Sequence, residues 1–302
     1  LVASSADLLA QEKGDIWDSG KIESDASQWI AYQGKPLKRN ARYYWKVKVY
    51  TNRGEADWSA PAFWSMGLLN EADWQGQWIG LDRTTPGDSE TQWSRLAARY
   101  LRKEFALSKE VKRATVHIAG MGLYELFING QRIGDQVLAP APTDYRKTIL
   151  YNTYDVTPQL RKENAIGVTL GNGRFYTMRQ NYKPYKIPTF GYPKLRLNLI
   201  VEYMDGSKET IATNTSWKLT TEGAIRSNNE YDGEEYDARK ELGNWTQSGY
   251  DDKSWIAAQR VSIPSGTLRA QIMPGMKVMD TLKPVSIQKL GDKYILDFGQ
   301  NM

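Results

Sequence analysis

Glu230, Asp232, Glu234, Glu235 and Asp237 fall within eight residues, in the stretch N-N-E-Y-D-G-E-E-Y-D-A-R from Asn228 to Arg239. Carboxylates this dense can do two kinds of work. At alternate positions, Glu230, Asp232, Glu234 and Asp237 can ligate a hard cation such as calcium, with backbone carbonyls completing the shell. They can equally accept hydrogen bonds from sugar hydroxyls. The stretch is no EF-hand, because the ligand spacing and closing Glu of that loop are absent. Two carboxylates on facing strands can also hydrolyse a glycosidic bond, but nothing here singles out a pair. The plain alternative is a solvated acidic loop with Tyr231 and Tyr236 packed beneath it.

A second stretch, Gly171-Asn172-Gly173-Arg174-Phe175-Tyr176, follows a strand as a nucleotide loop would. It lacks the G-x-G-x-x-G spacing and the Walker Lys-Ser/Thr pair, so a tight reversal at a sheet edge is the competing reading. Aromatic residues continue from it to Pro188. Asn172, Arg174, Tyr176, Tyr182 and Tyr185 are therefore the candidate sugar-contacting residues, with the tyrosines offering flat faces to pyranose rings. The same aromatics, if buried, would simply close one end of a sandwich.

Other chemistries are excluded by count. There is no cysteine, so disulfide and thiolate chemistry are absent. The one histidine, His117, cannot form a site that needs two, and it reads as a structural residue within a strand. The 40 basic and 35 acidic residues leave a net charge of +5 without any like-charge block. That is an ordinary surface charge, unlike the basic stripe of a nucleic-acid binder. No apolar run is long enough to span a bilayer.

These residues sit among short alternating strands. Leu123 to Ile128 runs into Asn129-Gly130, a hairpin-turn dipeptide. Arg99 to Leu107, Val111 to Ala119, Ile166 to Leu170 and Leu195 to Tyr203 alternate in the same way. Tyr43 to Tyr50 does so too, with Tyr43, Trp45, Val47 and Val49 on one face. Asp7 to Ala10 reads as a short helical turn. Trp74 and Trp78 are placed to glue a connector to a domain. The expected fold is all-β. Residues 1–67 form a fibronectin type III-like sandwich incomplete at its start, and 68–98 a connector. Residues 99–263 form a larger jelly-roll, galactose-binding-like sandwich, and 264–302 the start of a further β-domain. Both ends fall in or beside strands, so the chain is expected to be a piece.

The chain resembles the amino-terminal part of bacterial α-L-rhamnosidases of glycoside hydrolase family 78. The resemblance lies in Trp74-Gln75-Gly76-Gln77-Trp78-Ile79-Gly80, in Gly122 to Gly130 with Thr143-Asp144-Tyr145 and Tyr154-Asp155-Val156-Thr157, in Leu170 to Gly173, in Tyr231 to Arg239 and in Asp297 to Met302. It implies an exported, periplasmic or extracellular enzyme that removes terminal α-L-rhamnose from plant-type glycans or glycosides by inversion. Its acid and base glutamates would lie in an (α/α)6 barrel beyond Met302, so no glutamate of this chain takes those roles. The chain would scaffold that barrel in cis and contact rhamnose-containing glycans, with no cofactor required. Some relatives bind rhamnose through calcium on a related sandwich, which places a possible calcium on Glu230, Asp232, Glu234 and Asp237. Arg174 departs from the family, where many members carry Trp. The alternative is a stand-alone carbohydrate-binding or structural sandwich.

Overall fold

A computed structural model describes residues 1–26, 28–83, 96–176, 190–231, 233–263 and 265–301. The amino-terminal unit carries strands β1 (Val2–Ala3), β2 (Arg42–Trp45), β3 (Tyr50–Thr51), β4 (Gly54–Glu55) and β5 (Ala62–Ser65), with one helix, α1 (Ala6–Ala10). Ser5 caps α1 by accepting from the Leu8 amide, which satisfies one of the free amides of its first turn. β1, β2 and β5 form one sheet, and β3 and β4 a separate hairpin. The long strand expected from Tyr43 to Tyr50 stops at Trp45. Tyr43 is buried, but Val47 and Val49 have no covering layer and remain about half exposed. Alternation alone therefore overestimated the strand's length.

The larger unit continues through β6 (Ile79–Gly80), β7 (Arg99–Ala106), β8 (Val111–Met121), β9 (Leu123–Ile128), β10 (Gln131–Arg132), β11 (Thr148–Asp155), β12 (Glu163–Gly171) and β13 (Lys194–Tyr203). It closes with β14 (Lys208–Ala212), β15 (Lys218–Thr220), β16 (Ile225–Asn229), β17 (Gly233–Tyr236), β18 (Ile256–Ala257), β19 (Gln259–Arg260) and β20 (Thr267–Ala270). Two sheets face each other. One has the order β10-β9-β12-β7-β15-β18, and the other β19-β6-β13-β8-β11-β20, with β14 added beside β13. Between β9 and β10, Asn129 and Gly130 both adopt positive φ, as the expected hairpin turn demands.

The core between the sheets follows from period-two alternation. β13 sends Leu195, Leu197, Leu199 and Val201 inward, β8 sends Val116 and Ile118, and β12 sends Ile166, Val168 and Leu170. The opposite face of β8 carries His117, Ala119 and Met121. The connector covers that face, with Leu68, Trp74 and Trp78 packed among Met121, Tyr151 and Phe175. The two connector tryptophans thus do the packing expected of them. The Arg196 guanidinium lies over the Trp74 ring at 5.2 Å.

A last hairpin, β21 (Ser286–Leu290) with β22 (Lys293–Asp297), forms a two-stranded sheet of its own among the described residues. Among the described residues, no helix is long and apolar enough to cross a membrane.

Candidate functional site

The site lies on the outer face of the six-stranded sheet. Leu123, Glu125 and Phe127 of β9 point there, as do Gly167, Thr169 and Gly171 of β12. The register sets Phe127 beside Gly167, Glu125 beside Thr169, and Leu123 beside Gly171. Half of this face is roofed. A Cβ on Gly167 would stand 2.5 Å from Thr246 Cγ2 and 2.8 Å from Trp245 Cζ3, so glycine lets the roof lie directly on the strand. Trp245 meets the Tyr100 ring edge-on at 5.4 Å and the Phe127 ring at 6.2 Å. Arg102 fastens the roof from below. It is buried, donates to the carbonyls of Trp245 at 2.9 Å and Gln247 at 3.0 Å, and pairs with Asp252 and Glu104.

The other half of the face is open and forms a cleft of about 770 Å³. Leu123, Glu125 and Thr169 make its floor. One wall is the β16–β17 hairpin, which contributes Ile225, Asn228, Glu234 and Tyr236. Glu234 and Tyr236 are two apart in one strand and so share a side. The opposite wall is Val137, Leu138 and Pro142, with Met276 beside it. Leu138 is 56% exposed and holds φ at +54°, an uncommon backbone for a residue with a Cβ. At the rim, Arg174 Nε donates to Glu230 Oε2 at 2.7 Å, and a second guanidinium nitrogen pairs with Oε1. This two-point pair holds the Glu230 carboxyl below its ordinary value.

The candidate residues distribute unevenly around this cleft. Arg174, Glu230 and Glu234 line it. Asn172 does not; it is buried and anchors the turn. Its amide nitrogen donates to Asn228 Oδ1 at 2.6 Å and its Nδ2 to the Leu96 carbonyl at 2.8 Å. Tyr176 is also buried, with its ring stacked on Tyr192 at 5.7 Å. Phe175 packs against Tyr145 and Phe190. Of the two readings for the aromatic stretch, these described rings take the covering role. Tyr182 and Tyr185 lie outside the described residues.

The donors assembled for calcium do not fit a cation where they are described. Glu230 is committed to Arg174. Asp237 accepts from the Arg239 amide and pairs with the Arg239 side chain, which holds its carboxyl down at about 2. Among the described residues, no three His, Asp or Glu side chains gather as metal ligands. Asp232 lies outside the described residues. The physical reason is the hairpin. Asn229 pairs with Gly233, so Glu230 and Tyr231 belong to a reversal and Glu234 to the returning strand. Carboxylates that alternate in sequence are thereby spread over two strands.

Several cleft residues carried no warning in their own type. Leu123, Leu138 and Met276 are ordinary apolar residues until the fold gathers them. One signal was present: Gly167 and Gly171 occupy outward positions of β12 on either side of Thr169, as expected where another chain segment approaches closely. Tyr236, which the alternative of a solvated acidic loop placed beneath that loop, is 54% exposed at the cleft wall.

A family model described as the α-L-rhamnosidase N-terminal domain matches residues 109–280, more than half of the chain. The chain belongs to that family. Residues 1–70 match the Rha78A-like, N-terminal immunoglobulin domain. An α-L-rhamnosidase from Formosa agariphila is 40% identical to this family member over 323 residues, covering 100% of the chain and 34% of the relative. The solved α-L-rhamnosidase of Dictyoglumus thermophilum superposes with a TM-score of 0.86 at 39% identity, over 100% of this chain and 34% of its own. The Streptomyces avermitilis α-L-rhamnosidase, solved in complex with L-rhamnose, gives a TM-score of 0.83 at 25% identity, over 100% of this chain and 45% of its own. This rhamnosidase N-terminal segment spans about a third of the length of the first curated relatives it matches.

Proposed function

We propose that this chain is the amino-terminal, non-catalytic portion of an exported α-L-rhamnosidase that hydrolyses terminal α-L-rhamnose from glycans with inversion. The observation that carries this reading is coverage. Two amino-terminal family models lie in order along the chain, yet the rhamnosidases it matches are about three times as long. The catalytic portion is then supplied in cis, and this segment supports it. We extend the proposal to the layout: an immunoglobulin-like or fibronectin-like unit at 1–67, a connector at 68–98, a jelly-roll at 99–263 and the start of a further β-domain at 264–302.

The test compares the complete gene product with residues 1–302 on an aryl α-L-rhamnoside. Rhamnose release by the longer product alone is the expected result. Proton NMR of the first-formed sugar reads the stereochemistry, with β-rhamnose expected for inversion. Release by residues 1–302, or none by the longer product, would overturn the proposal.

A further inference from the structure

We propose that the open half of the cleft binds an alkyl cation, an aliphatic stem ending in a guanidinium or ammonium group, at Glu234 and Tyr236. The proposal goes beyond the function proposed above and does not depend on it. Carboxylate pairing singles out the position. Glu125, Glu230 and Glu234 all line the cleft. Glu125 is paired with Arg132 at 3.3 Å, and Glu230 is held at two points by Arg174. Among the described residues, Glu234 has no ion-pair partner. The cations nearest to it in sequence are engaged elsewhere. Arg226 donates to the Thr221 and Gly223 carbonyls at 2.7 and 3.0 Å, Arg239 pairs with Asp237, and Lys240 pairs with Glu222.

Glu234 also has a ring beside it. Glu234 and Tyr236 lie on one side of β17, with Cα atoms roughly 6.5 Å apart by strand geometry, and both line the cleft. A carboxylate and an aromatic face at that spacing bracket a cation, which is attracted by the charge of one and the quadrupole of the other. The protein completes this arrangement elsewhere with its own side chains. Lys109 pairs with Asp205 at 2.8 Å and lies over the Tyr203 ring at 5.6 Å. Arg102 pairs with Asp252 and lies over the Tyr250 ring at 5.3 Å. In both, ring and carboxylate are two residues apart, as at Glu234 and Tyr236. Arg42 repeats the chemistry across segments, with Asp155 at 2.7 Å and the Phe63 ring at 4.6 Å. At Glu234 and Tyr236 the carboxylate and the ring are both in place, and no described cation of the chain joins them.

The opposite wall suits the stem. Leu138 and Met276 present an apolar surface there, about half exposed. Main-chain bonds fix that wall. The Val137 amide donates to the Met276 carbonyl at 2.9 Å and the Tyr124 amide to the Ala139 carbonyl at 2.7 Å, which pins the left-handed Leu138 from both sides. A methylene stem covers apolar surface while its charged head reaches a polar partner. The cleft volume of about 770 Å³ lies within the range of roughly 300–1,000 Å³ typical of small-molecule sites. Guanidinium is the better head group, because it offers two parallel N–H donors to a carboxylate and a flat face to a ring.

The 302-residue chain and the longer gene product are each titrated at low salt with n-butylguanidinium, n-butylammonium, neutral n-butylurea and an acetylated Ala-Arg-Ala amide, with binding read by ligand-observed NMR. The expected result is saturable binding of butylguanidinium, with butylammonium about fivefold weaker and no binding of butylurea, which keeps the shape and lacks the charge. Tighter binding of the peptide than of butylguanidinium assigns the cation to a protein side chain, and the reverse order assigns it to a free small molecule; both support the site. Glu234→Gln and Tyr236→Ala each weaken binding about tenfold or more. Tyr236→Phe retains it, as does Glu110→Gln, the control for a carboxylate outside the cleft, and melting curves confirm that the variants fold. The inference is overturned by no saturable binding, by butylurea binding as well as butylguanidinium, or by undiminished binding in folded Glu234→Gln. It is also overturned if the shorter chain binds and the longer product does not, because other parts of the protein then cover the cleft. None of these outcomes bears on rhamnose release, which tests the proposed function separately.

Discussion

His117 sits between the two units of the chain, with both ring nitrogens engaged. Nε2 meets Asn40 Oδ1 at 3.1 Å and Nδ1 meets Thr153 Oγ1 at 3.0 Å. Burial, then the nearby Arg113 charge, push its pKa down to about 4. Below pH 6.5 the unfolded chain protonates this ring, while the folded chain resists until about pH 4, so stability falls as pH drops through that window. The loss amounts to about 3 kcal/mol, and above pH 6.5 the ring is neutral in both states and contributes nothing. Urea midpoints between pH 7 and 4.5 should therefore fall more steeply for wild type than for His117→Gln; parallel curves would reject this account. Arg102 raises a different question, because its charge is buried. Arg102→Ala strands the Trp245 and Gln247 carbonyls and loosens the roof, at a cost of about 3 kcal/mol or more. Urea unfolding followed by tryptophan fluorescence measures it, with the Trp245 emission shifting red. The exposed Arg174–Glu230 pair is the contrast: Arg174→Ala should move stability by less than about 1 kcal/mol.

At the level of strands, β12 is shaped by what lies on its outer side. Gly167→Val drives a branched side chain into Trp245 and Thr246, where even a Cβ has no room. A loss of about 2 kcal/mol is expected from overpacking. Gly206→Ala is the control in the unfolding assay: its φ is +82° but no atom lies within 4 Å of the added Cβ, so only backbone strain of about 1 kcal/mol is incurred. The β21–β22 hairpin stands at the other extreme. Ile287, Leu290, Tyr294 and Ile295 are each half exposed or more, and an isolated two-stranded hairpin is marginal in water. Its amides should exchange with deuterium rapidly in the 302-residue chain. If the proposed longer protein covers it, the same amides should be protected there; equal rates in both would count against that layout.

Across the molecule, the amino-terminal unit is held to the large sandwich by polar contacts between distant segments. Arg42 pairs with Asp155 at 2.7 Å and Asn40 reaches His117, while Tyr151 donates its hydroxyl at 2.8 Å to the carbonyl of Leu68, where the connector begins. A segment joined this way is suited to hold its two units in fixed relation, as the proposed scaffolding role requires. Much of the architecture was readable in residue order. Leu195 to Tyr203 and Leu123 to Gly130 announced β13 and the β9–β10 hairpin because alternation and turn chemistry are local properties of the chain. The motif order likewise pointed to the rhamnosidase family. The cleft was not readable in the same way. Leu123, Leu138, Tyr236 and Met276 are far apart in sequence, and their shared concavity depends on how the β16–β17 hairpin and the 134–142 segment stand over β12. Nor could the sequence show that Asn172 and Tyr176 would be buried while Arg174, between them, reaches solvent. Strand alternation needs only neighbouring residues, whereas burial and charge pairing depend on which distant segments are brought against them.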